Sequence, residues 1–247
     1  MTVSAARVEI ARARMVDLFP DGFEEIERNG EVELVAYTDP SGEERIWQAF
    51  GGTAFAQDLE DGWEDRWRDF HRPVRVGPLW IGQPWQEAPD DAIAVVIDPG
   101  RAFGTGAHAT TRLSLELLLH VERGSLLDIG SGSGVLAIAA AKLGFAPVTA
   151  IDEDEQAVAA TGANAAANEV VLDAVRADAL SDELPSTDVA VANITRGAVE
   201  SVAGRIGAPT FITSGYLAGE DLRLPDFERV ERVSAEGWVA DLHRRRA

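Results

Sequence analysis

Four short stretches of the sequence place glycines or polar side chains where a ligand could bind. The first, DPGRAFGTGAHATT at residues 98–111, sets three glycines around an apolar phenylalanine and a histidine before two threonines. A glycine-rich loop that ends in a threonine helix cap explains the threonines. It does not explain the glycines around Phe103 or the position of His108. This stretch is therefore the most informative one in the chain.

The second stretch, DIGSGSG at residues 128–134, joins a predicted strand to a predicted helix. Its alternating glycines let the backbone turn sharply and leave room for a ligand to lie against it. The spacing differs from the dinucleotide fingerprint G-x-G-x-x-G, because Val135 stands where the third glycine belongs. Tight strand-to-helix turns also use glycine for structural reasons alone. Its position after the first buried strand is what favours a binding site.

The other two stretches each contribute one polar residue at the end of a predicted strand. Asp152 ends the second strand, where a carboxylate can accept hydrogen bonds from both ribose hydroxyls of a nucleoside. The acidic residues 153–155 that follow it favour the first turn of the next helix. Asn193 ends the fourth strand, where open α/β sheets bind their ligands, unless it only caps the following turn.

Alternating strands and helices position these residues. The pattern predicts strands at 125–129, 148–151, 174–177, 188–194 and 210–213, and helices at 113–121, 135–143, 156–168 and 197–206. Such alternation indicates an α/β fold with a parallel, doubly wound sheet. Two further strands, at 228–234 and 238–243, are separated only by a turn. This antiparallel C-terminal hairpin resembles the class I methyltransferase variant of the Rossmann-like fold.

The first part of the chain is aromatic and charge-dense, and it predicts a small α+β domain. Residues 5–18 have the apolar spacing of a helix, and we expect the chain to begin with it rather than with a strand. Two strands, at 23–28 and 31–38, are joined by an Asn-Gly hairpin turn. The aromatic stripe Trp63, Trp67 and Phe70 has helical spacing, and Pro73 stops that helix.

Composition excludes several classes of protein. The 247 residues carry 42 acidic against 22 basic side chains, a formal net charge of -20, which argues against direct nucleic-acid binding. Arg244, Arg245 and Arg246 are expected to form a solvated tail. Without cysteine there is no disulfide scaffold or thiolate zinc site, and we expect no bound metal. No apolar run suggests a membrane span or a signal peptide, so we expect a cytoplasmic monomer.

The 98–111 stretch resembles the loop that marks the bacterial ribosomal protein L11 methyltransferase family. The resemblance continues through LLDIGSGSGVLAIAAAKLG, AIDEDEQAV, VANI and EGWVADLHRR, over roughly residues 60–247. It implies S-adenosyl-L-methionine as the cofactor and a loop, carrying Phe103 and His108, that folds over it. His108 is then either a catalytic group or a structural one. The residues assigned to the cofactor are Phe103, Thr111, Asp128, Gly130, Gly132, Asp152 and Asn193.

The resemblance also implies a reaction and a domain organisation. It implies methylation of lysine side-chain and N-terminal amines of ribosomal protein L11, a basic protein substrate, with Asn193 orienting the amine. We expect a reduced ferredoxin-like domain at 1–62, a linker helix at 63–76 and the methyltransferase domain at 77–247. Two alternatives remain open: the same chemistry on a different protein or small-molecule amine, and a non-catalytic S-adenosylmethionine-binding module.

Overall fold

The computed structural model of the chain divides into two compact units, Met1–Trp67 and Arg68–Ala247, each described here by itself. The structure describes residues 2–4, 11, 14–15, 18–19, 24–28, 31–36, 40–51, 54, 73–98 and 106–246.

The first unit contains a three-stranded antiparallel sheet. Its strands are β1 (Thr2–Ser4), β2 (Glu24–Arg28) and β3 (Glu31–Val35), in the order β1-β3-β2, followed by helix α1 (Pro40–Phe50). The two predicted strands therefore pair as expected. The expectation that the chain lacks an opening strand was wrong, because β1 pairs along β3. Three residues are too few to show an alternating pattern, so the sequence gives no local signal for this strand.

A small apolar core supports this unit. Met15 and Leu34 are almost completely buried, and Val32, Ala11 and Phe19 pack in the same cluster. The described positions of the predicted helix at 5–18, which are 11, 14, 15 and 18, are helical. Helix α1 was not predicted, although a proline at its first position is typical of helix starts.

The second unit is built on a seven-stranded sheet in the order β12-β13-β11-β10-β7-β8-β9. Five of its strands are parallel, and β13 runs antiparallel between β11 and β12. This is the predicted doubly wound sheet with an antiparallel C-terminal hairpin. The elements are α2 (Ala109–Leu119), β7 (Leu126–Ile129), α3 (Val135–Lys142), β8 (Val148–Asp152), α4 (Glu155–Ala167), β9 (Asp173–Arg176), β10 (Val189–Asn193), α5 (Arg196–Ala203), β11 (Thr210–Leu217), β12 (Phe227–Ala235) and β13 (Trp238–Arg245).

Both faces of this sheet are covered by apolar side chains. Along β7, Leu126 points into the cluster formed with α2 and α3, whereas Leu127 points into the cluster formed with α5. Val191 and Ala192 of β10 divide in the same way. A strand buried on both faces needs a continuous apolar run, and such runs allow these strands to be predicted from the sequence.

A second, smaller sheet in this unit was not predicted. It consists of β4 (Val74–Val76), β5 (Leu79–Gly82) and β6 (Ile93–Val96), with β4 antiparallel and β6 parallel to β5. Leu79, Ile81 and Val95 bury its inner face against the main core. The predicted linker helix at 63–76 lies outside the described residues up to position 72, and its last three residues form β4.

The C-terminal arginines are part of this fold, so their prediction as a solvated tail was wrong. β13 continues to Arg245, whose guanidinium lies over the ring of Phe227 at 4.6 Å and donates to the carbonyl of Ile206. Arg246 donates to the carbonyl of Phe227. The backbone carbonyls of Ile206 and Phe227 thus accept hydrogen bonds from arginines that composition alone predicts to be solvated.

No helix in the described parts of the chain combines the length and the apolar character that crossing a bilayer requires.

The sheet imposes one tight approach at the end of β11. Gly215 lies at an irregularity in the β11–β13 pairing and has a φ of +100°. A Cβ on Gly215 would overlap the backbone of Ile194, the residue after β10. Only a residue without a side chain fits between β11 and the end of β10.

We expect Gly215→Ala to destabilise the protein far more than Gly237→Ala. Gly237 also has a positive φ, of +82°, but a Cβ there would meet nothing within 4 Å. The control variant therefore carries only the backbone cost, about 1–2 kcal/mol. Gly215→Ala adds a clash with main-chain atoms and should lose roughly 2 kcal/mol more. Urea unfolding of both variants measures the difference, and equal losses would contradict the packing described here.

Candidate functional site

The candidate residues come together where the strand order of the main sheet reverses. β7, β8 and β9 follow one another in one direction across the sheet, whereas β10 and β11 lie on the other side of β7. Ligands of open α/β sheets bind outside the carboxyl ends of the strands at this switch point. Asn193 ends β10, Asp152 ends β8 and the glycine turn follows β7.

The turn after β7 adopts backbone angles that glycine allows. Gly130, Gly132 and Gly134 have φ values of +72°, +54° and +82°. Gly130 N–H donates to the carbonyl of Ile151 at 2.9 Å, which ties the turn to the end of β8. Gly134 is the N-cap of α3. A side chain at Gly130 would overlap the Ile194 side chain, so this glycine also lets β10 approach.

Asp152 holds the same turn from the neighbouring strand. Its Oδ2 accepts from the backbone N–H of Gly132 at 3.0 Å, and its Oδ1 accepts from that of Asp154 at 3.0 Å. A carboxylate has about four acceptor positions, so both oxygens keep capacity for further donors. Asp154 caps α4 by accepting from Gln156 N–H at 2.9 Å, as the sequence predicted for this acidic run.

Asn193 and Thr111 meet across the switch point. The Asn193 Nδ2 lies 3.4 Å from the Thr111 Oγ1, which is the long end of the hydrogen-bond range. Thr111 is buried in the first turn of α2, and Asn193 is partly buried. With Nδ2 directed at Thr111, the amide oxygen Oδ1 is the atom of Asn193 that is available to accept from an amine. The structure thus brings together two residues 82 positions apart in the chain.

His108 is the N-cap of α2. Its Nδ1 lies 2.8 Å from the Thr110 Oγ1 and 3.4 Å from the Thr110 backbone nitrogen. The ring packs edge-on against Trp238 with 5.0 Å between ring centroids. Burial lowers the pKa of His108, which favours the neutral ring that this cap requires. These contacts support the structural alternative for His108, because they fix where α2 begins and hence where Thr111 lies.

Asp128 is a buried carboxyl group at the end of β7. Its Oδ2 accepts from Ala137 N–H at 3.1 Å, whereas its buried Oδ1 has no hydrogen-bond partner among the described residues. Burial raises the pKa of Asp128 from 3.8 to about 7. A buried, half-satisfied acceptor is costly, and such groups in native proteins occur where a ligand or a function uses them.

A cavity next to Asp152 was not predicted from the sequence. It has a volume of about 480 Å³ at the ends of β8 and β9, and is lined by Glu153, Arg176, Ala177, Asp178 and Asp182. The carboxyl end of the next parallel strand was available as a signal, because this edge of an open sheet is where ligands bind. Asp178 accepts from Leu180 N–H and Ser181 Oγ, so its carboxylate is held within its own loop.

The structure places most of the predicted site residues in two groups. Gly132 is hydrogen-bonded to Asp152 and Gly130 to the neighbouring Ile151 carbonyl, and Asn193 lies within hydrogen-bond distance of Thr111. Phe103 lies outside the described residues. Within the ranges that the structure describes, no three His, Asp or Glu side chains lie close enough together to hold a metal ion.

Comparison with known proteins assigns this arrangement to a family. The family model described as ribosomal protein L11 methyltransferase (PrmA) matches residues 27–244. The chain belongs to the ribosomal protein L11 methyltransferase family. The Shewanella woodyi protein of that name is 38% identical over 200 residues, which are 73% of this chain and 66% of that one. The Pseudomonas putida strain W619 protein is 41% identical over 208 residues, 77% of this chain and 71% of that one.

The matched part thus spans about two thirds of the length of these L11 methyltransferases. Among solved structures, a ribosomal protein L11 methylase from Lactobacillus delbrueckii subsp. bulgaricus is similar with a TM-score of 0.62 and 27% identity, over 72% of this chain and all of that one. A tRNA (uracil-54, C5)-methyltransferase from Pyrococcus abyssi, solved with S-adenosyl-L-homocysteine, has a TM-score of 0.53 and 18% identity, over 70% of this chain and 44% of that one. The second likeness shows the class I methyltransferase fold alone.

We expect Asp128→Asn to stabilise the ligand-free protein, and to do so increasingly as the pH rises. A folded-state pKa of about 7 lies above the ordinary 3.8, so the folded state binds this proton more tightly than the unfolded state does. The contribution of Asp128 is fully present below pH 3.8 and is lost as the pH rises to about 7.

The asparagine cannot ionise, and it keeps an oxygen for the backbone N–H of Ala137. At pH 8 the gain relative to wild type is at most about 4 kcal/mol, and it shrinks towards pH 4. Urea unfolding of both proteins across this pH range measures the gain. A stability difference that does not change with pH would show that Asp128 titrates normally.

Proposed function

We propose that this protein transfers methyl groups from S-adenosyl-L-methionine to lysine side-chain and N-terminal amines of ribosomal protein L11. The observation that carries the proposal is the convergence of the glycine turn, Asp152 and the Asn193–Thr111 pair at one switch point. Membership of the L11 methyltransferase family supports the choice of substrate. The net charge of -20 supports it too, because an acidic protein attracts a basic partner.

The residues present fit S-adenosylmethionine. The glycine turn offers backbone without side chains, and the buried Asp128 Oδ1, which has no donor among the described residues, would accept from a cationic amino group. Asp152 keeps acceptor capacity for ribose hydroxyls, and the cavity beside it has room for a base. The protein would therefore hold the amino-acid end at Asp128 and the glycine turn, the ribose at Asp152 and the base at the end of β9.

When bound, the cofactor supplies an electrophilic methyl group on a sulfonium. The task left to the protein is to present a neutral amine, since a free lysine has a pKa of about 10.4 and is protonated at pH 7. Exclusion of water lowers an amine pKa and favours the neutral form. The Asn193 Oδ1 accepts an amine hydrogen and so directs the nitrogen lone pair. Positioning then provides most of the rate, and no strong base is needed.

Labelled S-adenosylmethionine incubated with purified L11 tests the substrate. We expect label on lysine side chains and on the N-terminal amine, located by mass spectrometry of L11 peptides. Asn193→Ala should lower kcat by about 100-fold, the effect of a misplaced reacting group. If the wild-type protein binds the cofactor and leaves L11 unlabelled, the substrate is a different amine or the protein only binds the cofactor.

Asp152→Ala should weaken cofactor binding by roughly 10-fold or more, because hydrogen bonds to a charged acceptor are lost. Asp154→Ala is the matched control. It removes the same charge two residues away and costs helix stability through the lost cap of α4, but it removes no proposed ligand contact. Isothermal titration calorimetry with S-adenosylhomocysteine measures both dissociation constants. Equal values for the two variants would remove the ribose role from Asp152.

A further inference from the structure

Helix α4 presents a buried polar face that the proposed chemistry does not use. Thr161, Asn164 and Asn168 lie at i, i+3 and i+7, on one side of the helix, and they are 0%, 4% and 5% exposed. Polar side chains in this position interrupt an otherwise apolar core. Each must find partners to offset the loss of water. All three bind backbone groups outside the helix, and Asn168 also donates to the Asn164 carbonyl within it.

Thr161 and Asn164 hold the glycine turn. The Thr161 hydroxyl donates to the Gly132 carbonyl at 3.0 Å, and the Asn164 Nδ2 donates to the Ser133 carbonyl at 2.9 Å. The Thr161 Oγ1 also lies 3.1 Å from the Ser131 Oγ. Three consecutive residues of the turn are therefore fixed from the α4 side, opposite the hydrogen bond that Asp152 makes to Gly132.

Asn164 also contacts the start of the 98–111 segment. Its Oδ1 accepts from the backbone N–H of Asp98 at 3.0 Å, and its Nδ2 lies 3.5 Å from the Asp98 carbonyl oxygen. One buried amide thus bridges the glycine turn and the first residue of the segment that ends at Thr111. These two backbone stretches are separated by more than thirty positions in the chain, and both lead directly into candidate cofactor contacts.

Asn168 makes similar hydrogen bonds but to a different place. Its Oδ1 accepts from Val96 N–H at 2.8 Å and its Nδ2 donates to the Val96 carbonyl at 2.5 Å. It therefore holds β6 to α4, and among the described residues none of its hydrogen bonds reaches the glycine turn. Asn164 and Asn168 have the same side chain, almost the same burial and the same kind of backbone partners. They differ in whether the glycine turn is among those partners.

We propose that Thr161 and Asn164 are positioning residues of the cofactor site, which set the spacing between the glycine turn and the start of the 98–111 segment. The proposal rests on the proposed cofactor use of this site. Loss of the Asn164 amide removes one hydrogen bond from the buried Ser133 carbonyl and another from the Asp98 N–H, so the two backbone stretches are no longer held at the same spacing and the turn can shift. A shift of the turn displaces the backbone against which the cofactor lies.

The first test compares Asn164→Ala with Asn168→Ala. Both variants lose buried hydrogen bonds, so both should unfold at lower urea concentration. Only Asn164→Ala should weaken S-adenosylhomocysteine binding, by about 10- to 100-fold, the range expected when a binding group is misplaced. In turnover with L11, its KM for S-adenosylmethionine should rise while its KM for L11 changes less than twofold. Equal dissociation constants at comparable stability would assign Asn164 a purely structural role and overturn the proposal.

The second test uses Thr161, in case the alanine variant of Asn164 fails to fold. Thr161→Ser keeps the hydroxyl that donates to Gly132 and should bind S-adenosylhomocysteine like the wild type. Thr161→Val keeps the branched shape without the donor and should bind several-fold more weakly. The opposite order would overturn the proposal. Both tests measure cofactor affinity directly, so they can be interpreted even if L11 is not methylated. A wild-type protein that binds no cofactor would instead refute the proposed function.

Discussion

Ile194 lies between two glycines, with its side chain against Gly130 and its backbone against Gly215, and the geometry of the site depends on this contact. Gly130, after β7, and Gly215, in β11, both have positive φ angles and would each collide with Ile194 if they carried a Cβ. Three neighbouring strand ends can therefore come close enough for Asn193 to lie beside the glycine turn. A parallel sheet fixes strand spacing along its length, but the separation of the loops above it is set by such contacts. A Cβ at Gly215 would overlap the Ile194 backbone, so the close approach of these strand ends requires glycine at that position.

Around this contact, most hydrogen bonds of the site fix backbone groups. Asp152 and the polar face of α4 bind the glycine turn from opposite sides, and His108 fixes the start of α2, which carries Thr111. The few polar side chains of the site are thereby held before any ligand arrives, which reduces the ordering cost of binding. Asp128 is the exception, because its buried Oδ1 has no partner within the described chain. Among the described residues, the Asp128 Oδ1 is thus an acceptor without a hydrogen bond, and it lies next to a glycine turn whose backbone is fixed by several.

The main sheet could be predicted from the sequence because its buried strands are continuous apolar runs and its helices carry a periodic signal. Asp152, Asn193 and the glycine turn were readable for the same reason, since each ends or follows a buried strand. The missing parts depend on contacts between distant residues. β1 is only three residues long, β4 to β6 are short, and the bond from Asn164 to Asp98 spans 66 positions. The prediction for the arginines at 244–246 was wrong because their hydrogen-bond partners lie far away in the chain. Local patterns carry no information about such partners.

A crystal structure of this protein with S-adenosylhomocysteine would test most directly whether the cofactor lies across the carboxyl ends of β7, β8 and β10. We expect the ribose hydroxyls within hydrogen-bond distance of the Asp152 carboxylate. We also expect the homocysteine amino group at Asp128 and the glycine turn, with Asn193 beside the sulfur. A ligand bound elsewhere on the chain, or one at this edge with its ribose turned away from Asp152, would contradict it.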